Sequence, residues 1–248
     1  MNGNLQPAGT LTRLRRYPVK GMSGEDLAEA FVTFAGLVGD RVYAFLDPQG
    51  PADFPWMTSR QWAEMLLLKP RFVSAPSTEE QLPGSADYRV EVTTPAGDKF
   101  DIAAPELRAH LEQKLGRSIQ LRFSERSMTD ARPVSVFSPQ SIEALSQETG
   151  RTLDLRRFRS NFIVDWANGG AWHEESLIGR QIRVGEIATF MLAKKNMRCK
   201  VITLDPDTAE AAPGVFEVVA KKHASCVGVY GVVLREGIVR RGDSVFVD

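Results

Sequence analysis

Residues 181–200 read Gln-Ile-Arg-Val-Gly-Glu-Ile-Ala-Thr-Phe-Met-Leu-Ala-Lys-Lys-Asn-Met-Arg-Cys-Lys. Residues 181–184 and 187–193 are two short strand candidates, and Gly185-Glu186 between them is a tight turn. The stretch ends on a thiol, Cys199, with Lys194, Lys195, Arg198 and Lys200 beside it. It therefore carries both the local pattern of the fold and the first hint of chemistry.

The same pattern recurs outward in both directions. Residues 161–165, 229–234 and 244–247 are further strand candidates in the C-terminal half. On the N-terminal side residues 11–19, 30–34, 41–46, 88–93 and 99–102 qualify. Of these, 88–93 and 99–102 form a hairpin across Pro95-Ala96-Gly97-Asp98. Helix signals are fewer and cover residues 60–68, 105–115 and 139–149. Pro105 and Gly116 bracket the second, with Leu107, Leu111 and Leu115 four apart. Ser138 is the N-cap of the third and Gly150 ends it. Many short strands with few helices predict a mostly β protein with minor α, built as antiparallel barrels or sandwiches. Residues 74–86 are polar with two prolines and read as a loop. Residues 124–133, polar and charged, divide the chain into 1–123 and 124–248.

Length and composition bound the function. A chain of 248 residues has room for one large or two small domains and needs no covalent staples. Basic and acidic residues balance at 31 each, so no overall charge draws the chain to nucleic acid. No apolar run has the length of a membrane span, and the polar start carries no secretory signal, so the expectation is a cytoplasmic protein without membrane or nucleic-acid partners. With only Cys199 and Cys226 there is no disulfide framework, zinc spacing or iron–sulfur ligand set. Dinucleotide, P-loop, esterase and zincin signatures are absent. Nearby cations stabilise a thiolate, the form that attacks and that binds soft metals. On the residues alone Cys199 is either such a thiolate or a small buried hydrophobe beside a solvated basic loop. Cys226, without that setting, reads as structural.

A set of short motifs adds to this. Tyr17-Pro18-Val19-Lys20-Gly21, Gly36-Leu37-Val38-Gly39-Asp40-Arg41 and Thr58-Ser59-Arg60-Gln61 are followed by Arg157-Phe158-Arg159-Ser160-Asn161-Phe162 and Leu177-Ile178-Gly179. Then come Arg198-Cys199 with Asp205-Pro206-Asp207-Thr208, and Gly237 with Gly242-Asp243. In this order the motifs resemble the MOSC family (named for the C-terminal domain of molybdenum cofactor sulfurases) in its two-domain form, including the amidoxime-reducing branch. The resemblance implies an N-terminal β-barrel-like domain packed on a MOSC β-barrel, with a pyranopterin molybdenum cofactor between them. It implies that Cys199 is the molybdenum ligand and catalytic residue. Lys20, Arg41, Arg159 and Asn161 would hold the phosphate and pterin, with Arg198 beside the ligand and Ser138 and Ser141 adding hydrogen bonds. The implied activity is oxidoreduction of N-hydroxylated small molecules. Electrons would come from a separate ferredoxin, cytochrome or flavoprotein reductase. The family also brings a domain-level association with molybdenum-ion and pyridoxal phosphate binding. Two further readings of the family follow from Cys199: a persulfide carrier that delivers sulfur to a metal–sulfur cluster or cofactor, or a cofactor-binding module without turnover. The chain departs from the family at Gly21, where Ser or Thr is frequent, and at Ser160, where proline is. It also has Val227-Gly228-Val229-Tyr230 where Phe-Gly-x-Tyr is typical.

Overall fold

The computed structural model describes residues 6–74 and 88–248. The N-terminal half supplies β1 (Gly9–Arg16), β2 (Glu25–Leu27), β3 (Glu29–Thr33), β4 (Gly36–Leu37), β5 (Tyr43–Leu46), β6 (Trp56–Met57), β7 (Lys69–Phe72), β8 (Val90–Thr93), β9 (Lys99–Asp101), α1 (Pro105–Leu115) and β10 (Gln120–Phe123). The C-terminal half supplies β11 (Val134–Phe137), α2 (Pro139–Thr149), β12 (Phe162–Trp166), α3 (His173–Ser176), β13 (Gln181–Val184), β14 (Ala188–Met197), α4 (Pro213–His223), β15 (Cys226–Arg235), β16 (Gly237–Arg240) and β17 (Ser244–Val247). The expected mostly β architecture is what the chain adopts.

Seven strands close into a barrel in the order β12, β11, β15, β14, β13, β17, β1, with β1 returning to β12. Leu11, Leu14, Val136, Phe162, Val164, Phe190, Val229 and Val245 fill its interior. Alternation explains the filling: β13 buries Ile182 and Val184 and turns Gln181 and Arg183 outward. The closing strand comes from the other end of the sequence. Gly9 pairs with both Trp166 and Val245, and Leu14 with Phe162. In exchange, β16 from the C-terminal half pairs with β3, Gly237 opposite Val32. The division of the sequence near residue 124 is therefore crossed twice in space.

Strand β2 extends the barrel sheet beside β1, and the N-terminal half arranges its other strands as three three-stranded sheets, one of them completed by β16. They surround a second core of Val19, Val42, Phe45, Met57, Val90, Leu107 and Leu111. A third cluster joins α2 and α4 through Ile142, Leu145, Val215 and Val219.

Local chemistry set most of these elements. Pro105 starts α1 and Gly116 ends it in the left-handed region. The Ser138 hydroxyl caps α2 by accepting from Ser141 N–H, and Gly150 closes it. The short strands β2, β4, β6, β7, β10, β11 and β16 and the helix α3 were not expected, and three more elements differ in kind or extent. The helix expected over 60–68 is a 3-10 turn, Ala63–Leu67. The strand expected from residue 41 starts at Tyr43, because Arg41 is left-handed (φ 51°). Helix α4 was not among the expected helices; Pro213 is its first residue, and Val215 and Val219 bury one face. The loop expected over 74–86 lies, beyond Ser74, outside the described residues.

Candidate functional site

The two halves meet at a cleft of about 800 Å³, a volume that includes the space open to solvent at its mouth. Among the described residues its lining holds seven basic side chains, Lys20, Arg41, Arg60, Arg132, Arg157, Arg159 and Arg198, and one carboxylate, Asp130. Cys199, Asn161 and Tyr230 also line it. Six of the eight residues expected at a site, Lys20, Arg41, Arg159, Asn161, Arg198 and Cys199, are thus brought to one cavity. Ser138 and Ser141 are not in its lining. Both are fully buried; Ser138 Oγ donates to Ser141 Oγ, which in turn accepts from Trp172 N–H.

Arg41 and Arg159 are positioned in the same way. Each has a left-handed backbone, φ 51° and 52°, a conformation that costs a non-glycine residue about 1–2 kcal/mol. Each guanidinium stacks on the buried Tyr17 ring, at 4.6 and 4.4 Å from its centroid. Asp40, with no exposed surface, pairs with Arg41 and accepts from Tyr17 N–H at 2.8 Å. Arg41 Nη2 donates to the Arg159 carbonyl at 3.0 Å. Burial pulls the Arg41 pKa down, but Asp40, joined by Tyr17 and Tyr230, outweighs it and the net shift is upward. Among the described residues Arg159 forms no ion pair, and Asp40 acts on it only through space. Its Nη1 donates to the Met22 carbonyl at 2.6 Å, while Nη2 is buried with no partner among the described residues. Burial, reinforced by Arg41, lowers its pKa to about 10. A second guanidinium, Arg198, donates to the Val227 and Phe158 carbonyls at 2.8 and 2.7 Å. Burial lowers its pKa to about 10 as well. Gly228 makes room for it: a Cβ there would lie 3.2 Å from Arg198 Nη2 and 3.0 Å from the Val136 carbonyl.

Lys20 donates to the Met128 carbonyl at 2.8 Å and pairs with Asp130. Burial lowers its pKa against the opposing pull of Asp130, with Arg41 and Arg159 adding to the fall. The next residue, Gly21, has φ 87°, and a Cβ there would lie 2.8 Å from Thr58 Cα. This departure from the family pattern thus has a steric reason. Asn161 is held inside the wall by Ser135 Oγ, which donates to it at 3.1 Å, and by the Arg15 carbonyl at 3.2 Å.

Cys199 follows β14 and caps the 3-10 turn Lys200–Thr203. Of the four cations beside it in sequence, Arg198 lines the cleft with it and three do not. Lys194, Lys195 and Lys200 are exposed, Lys195 bonded to Glu175, and none of the three lines the cleft. Irregularities in the β14–β15 ladder at Leu192/Lys194 and Lys195/Met197 break the alternation there. The near cation is instead Arg60, whose Nε lies 3.3 Å from Cys199 Sγ. Cys226 pairs opposite Met197 in the ladder, and both thiols are free. Arg60 and Asp130 were missed as site residues because only folding brings them to Cys199. Arg156, Arg157 and Arg159 lie within four consecutive positions. They belong to a 3-10 turn end, where Arg157 donates to the Thr203 carbonyl and to Asp205, both at 2.8 Å. The Asp205–Asp207 turn thereby braces the cleft wall, with Asp207 on Arg156 at 2.5 Å.

Among the described residues no group of three or more His, Cys, Asp or Glu side chains could hold a metal ion. A metal at Cys199 would draw one ligand from the protein and the rest from its own cofactor. A cavity with seven cations, one carboxylate and a buried unpartnered guanidinium N–H suits a phosphate-bearing group, and the thiolate suits a soft metal. The residues fit a pyranopterin molybdenum cofactor. They offer pyridoxal phosphate no free lysine, since Lys20, the lysine in the lining, is engaged by Met128 and Asp130.

A closed β-barrel stitched to an N-terminal β domain, with a thiol in a cationic cleft between them, defines the class. Comparison with known families agrees: the description "MOSC N-terminal beta barrel domain" matches residues 8–137 and "MOSC domain" matches residues 124–246. The chain belongs to the MOSC family, in its two-domain form. It is 22% identical to mitochondrial amidoxime-reducing component 1 of Mus musculus, over 98% of this chain and 83% of that protein. The crystal structure of the YUAD protein from Bacillus subtilis has the same fold, with a TM-score of 0.52 at 14% identity over 96% of this chain and 94% of that one. No helix among the described residues is long and apolar enough to cross a membrane.

Proposed function

We propose that the protein binds a pyranopterin molybdenum cofactor in the cleft and reduces N-hydroxylated small molecules, with electrons from a separate redox protein. The observation that carries this is the thiol of Cys199 opening into a cavity of seven cations and one carboxylate. The distant likeness to an amidoxime-reducing component supports the substrate class. When bound, the cofactor supplies the two-electron chemistry by which R–NH–OH, two electrons and two protons become R–NH₂ and water. The protein does the rest. Arg41 and Arg159, fixed against Tyr17, present guanidinium N–H groups to phosphate. Lys20 adds a point charge and Cys199 a sulfur ligand. Exposed Met197 and the Phe54 ring border the opening beside the thiol.

The test is metal and pterin content of the protein from a host that makes the cofactor, beside Cys199→Ala, followed by reduction of benzamidoxime with reduced methyl viologen. The expectation is near-stoichiometric molybdenum, turnover in the wild type and none in the variant. Molybdenum-dependent turnover retained in the variant refutes the ligand assignment; bound cofactor without turnover by any N-hydroxylated substrate leaves a binding module. The cation at 3.3 Å from Cys199 Sγ also favours a second reading, a persulfide carrier. One equivalent of sulfur released by a reductant, with no molybdenum, selects that reading.

A further inference from the structure

We infer that Arg60 donates a hydrogen bond to the sulfur of Cys199 and thereby weakens that sulfur as an electron donor to the metal. The metal part of this inference rests on the function proposed above; the contact itself does not. Arg60 Nε and Cys199 Sγ are 3.3 Å apart, a contact between residues 139 positions apart in sequence.

The arginine is oriented by everything around it. Its backbone sits in a turn that locks itself: Thr58 N–H and Oγ1 both donate to Gln61 Oε1 at 3.0 Å, and Arg60 N–H donates to Thr58 Oγ1 at 3.2 Å. Its guanidinium lies over the Phe54 ring, 4.3 Å from the centroid. Its Nη2 donates to Asp130 Oδ2 at 3.3 Å, and Lys20 holds the other oxygen of that carboxylate. Arginine and a carboxylate commonly pair through two parallel N–H groups. Here Asp130 takes one, and the Nε–H that could complete such a fork is directed at sulfur. The Thr58–Gln61 motif thus has a purpose that its sequence alone does not reveal.

Hydrogen bonds and positive charge at a metal-bound sulfur favour the electron-rich, reduced state of the metal. Arg60 is a positioning residue in this scheme, and Asp130 keeps its donors aimed.

The experiment compares wild type, Arg60→Met and Arg60→Lys, each loaded with cofactor, by redox titration and by the Mo(V) electron paramagnetic resonance signal. All three are expected to hold molybdenum. The midpoint potential moves to more negative values in Arg60→Met and lies between in Arg60→Lys, which keeps a charge but not the fixed Nε–H. An unchanged potential and signal in molybdenum-containing Arg60→Met overturns the inference. A second arm needs no cofactor: the ¹⁵N–¹H resonance of Arg60 Nε should shift, and its hydrogen exchange quicken, in Cys199→Ala. An Nε resonance indifferent to that substitution overturns the contact. Absence of molybdenum from the wild type defeats the proposed function, while the second arm still decides the sulfur contact.

Discussion

Replacing Asp40 by alanine tests whether one buried carboxylate organises the cationic wall of the cleft. Asp40 has no exposed surface, accepts from Tyr17 N–H at 2.8 Å and from Ser127 Oγ at 3.3 Å, and pairs with Arg41, whose side chain is 12% exposed. Asp40→Ala leaves a buried guanidinium without its counter-charge, a loss of about 3–5 kcal/mol. Against a total stability of roughly 5–15 kcal/mol, that is a large fraction. At about 2–4 °C per kcal/mol for a chain of this size, Tm falls by roughly 6–20 °C. Asp40→Asn keeps an oxygen for the Tyr17 N–H and loses only the charge, so its fall is smaller. Differential scanning calorimetry and urea unfolding read both variants. A Tm for Asp40→Ala within about 2 °C of wild type refutes the reasoning, because so small a change corresponds to no more than ~1 kcal/mol.

Glu174 is fully buried, and burial raises its carboxyl pKa; the nearby Ser141 and Ser138 hydroxyls pull it down, but neither carboxyl oxygen gains a hydrogen bond of good geometry. The folded state therefore holds this proton more tightly than the unfolded one, and stability falls as pH rises through the unfolded value of 4.5 toward the raised folded value. Glu174→Gln should melt above wild type at pH 7, with the gap closing as pH drops below 4.5; an equal gap at every pH contradicts the assignment. Residues 124–248 expressed alone should not give a folded barrel, since β1 closes it against both β12 and β17; dispersed amide resonances from that fragment would disprove the need for β1. Gly21→Ser, which restores the residue frequent in the family, should destabilise by more than ~1 kcal/mol, because the backbone there is left-handed and a Cβ would crowd Thr58. A urea midpoint equal to wild type would show that this turn relaxes freely.

The fold was legible where local chemistry dictates it. The Gly185-Glu186 turn between two alternating runs gave β13 and β14, and Pro105 with Gly116 gave the ends of α1. It was illegible where distance in sequence decides. Nothing in residues 9–16 announces that they pair with residues 162–166 and 244–245. The site divides in the same way. Motif order singled out Lys20, Arg41, Arg159, Asn161, Arg198 and Cys199, all of which line one cleft. Lys194, Lys195 and Lys200 misled because adjacency along a bulged strand is not adjacency in space. Arg60, 139 positions before Cys199, was found only through the fold.

The pairing of β1 with β17 also fixes when the molecule can be finished. Thr10 is made 234 residues before its partner Ser244. At roughly 5–20 residues per second, that interval lasts about 12–47 s. Throughout it Leu11 and Leu14, both without exposed surface in the finished barrel, lack the β17 wall of that barrel. Strand β1 is thus among the last satisfied, and Lys20 of the cleft lining, four residues beyond it, is tethered to a barrel that shuts only then.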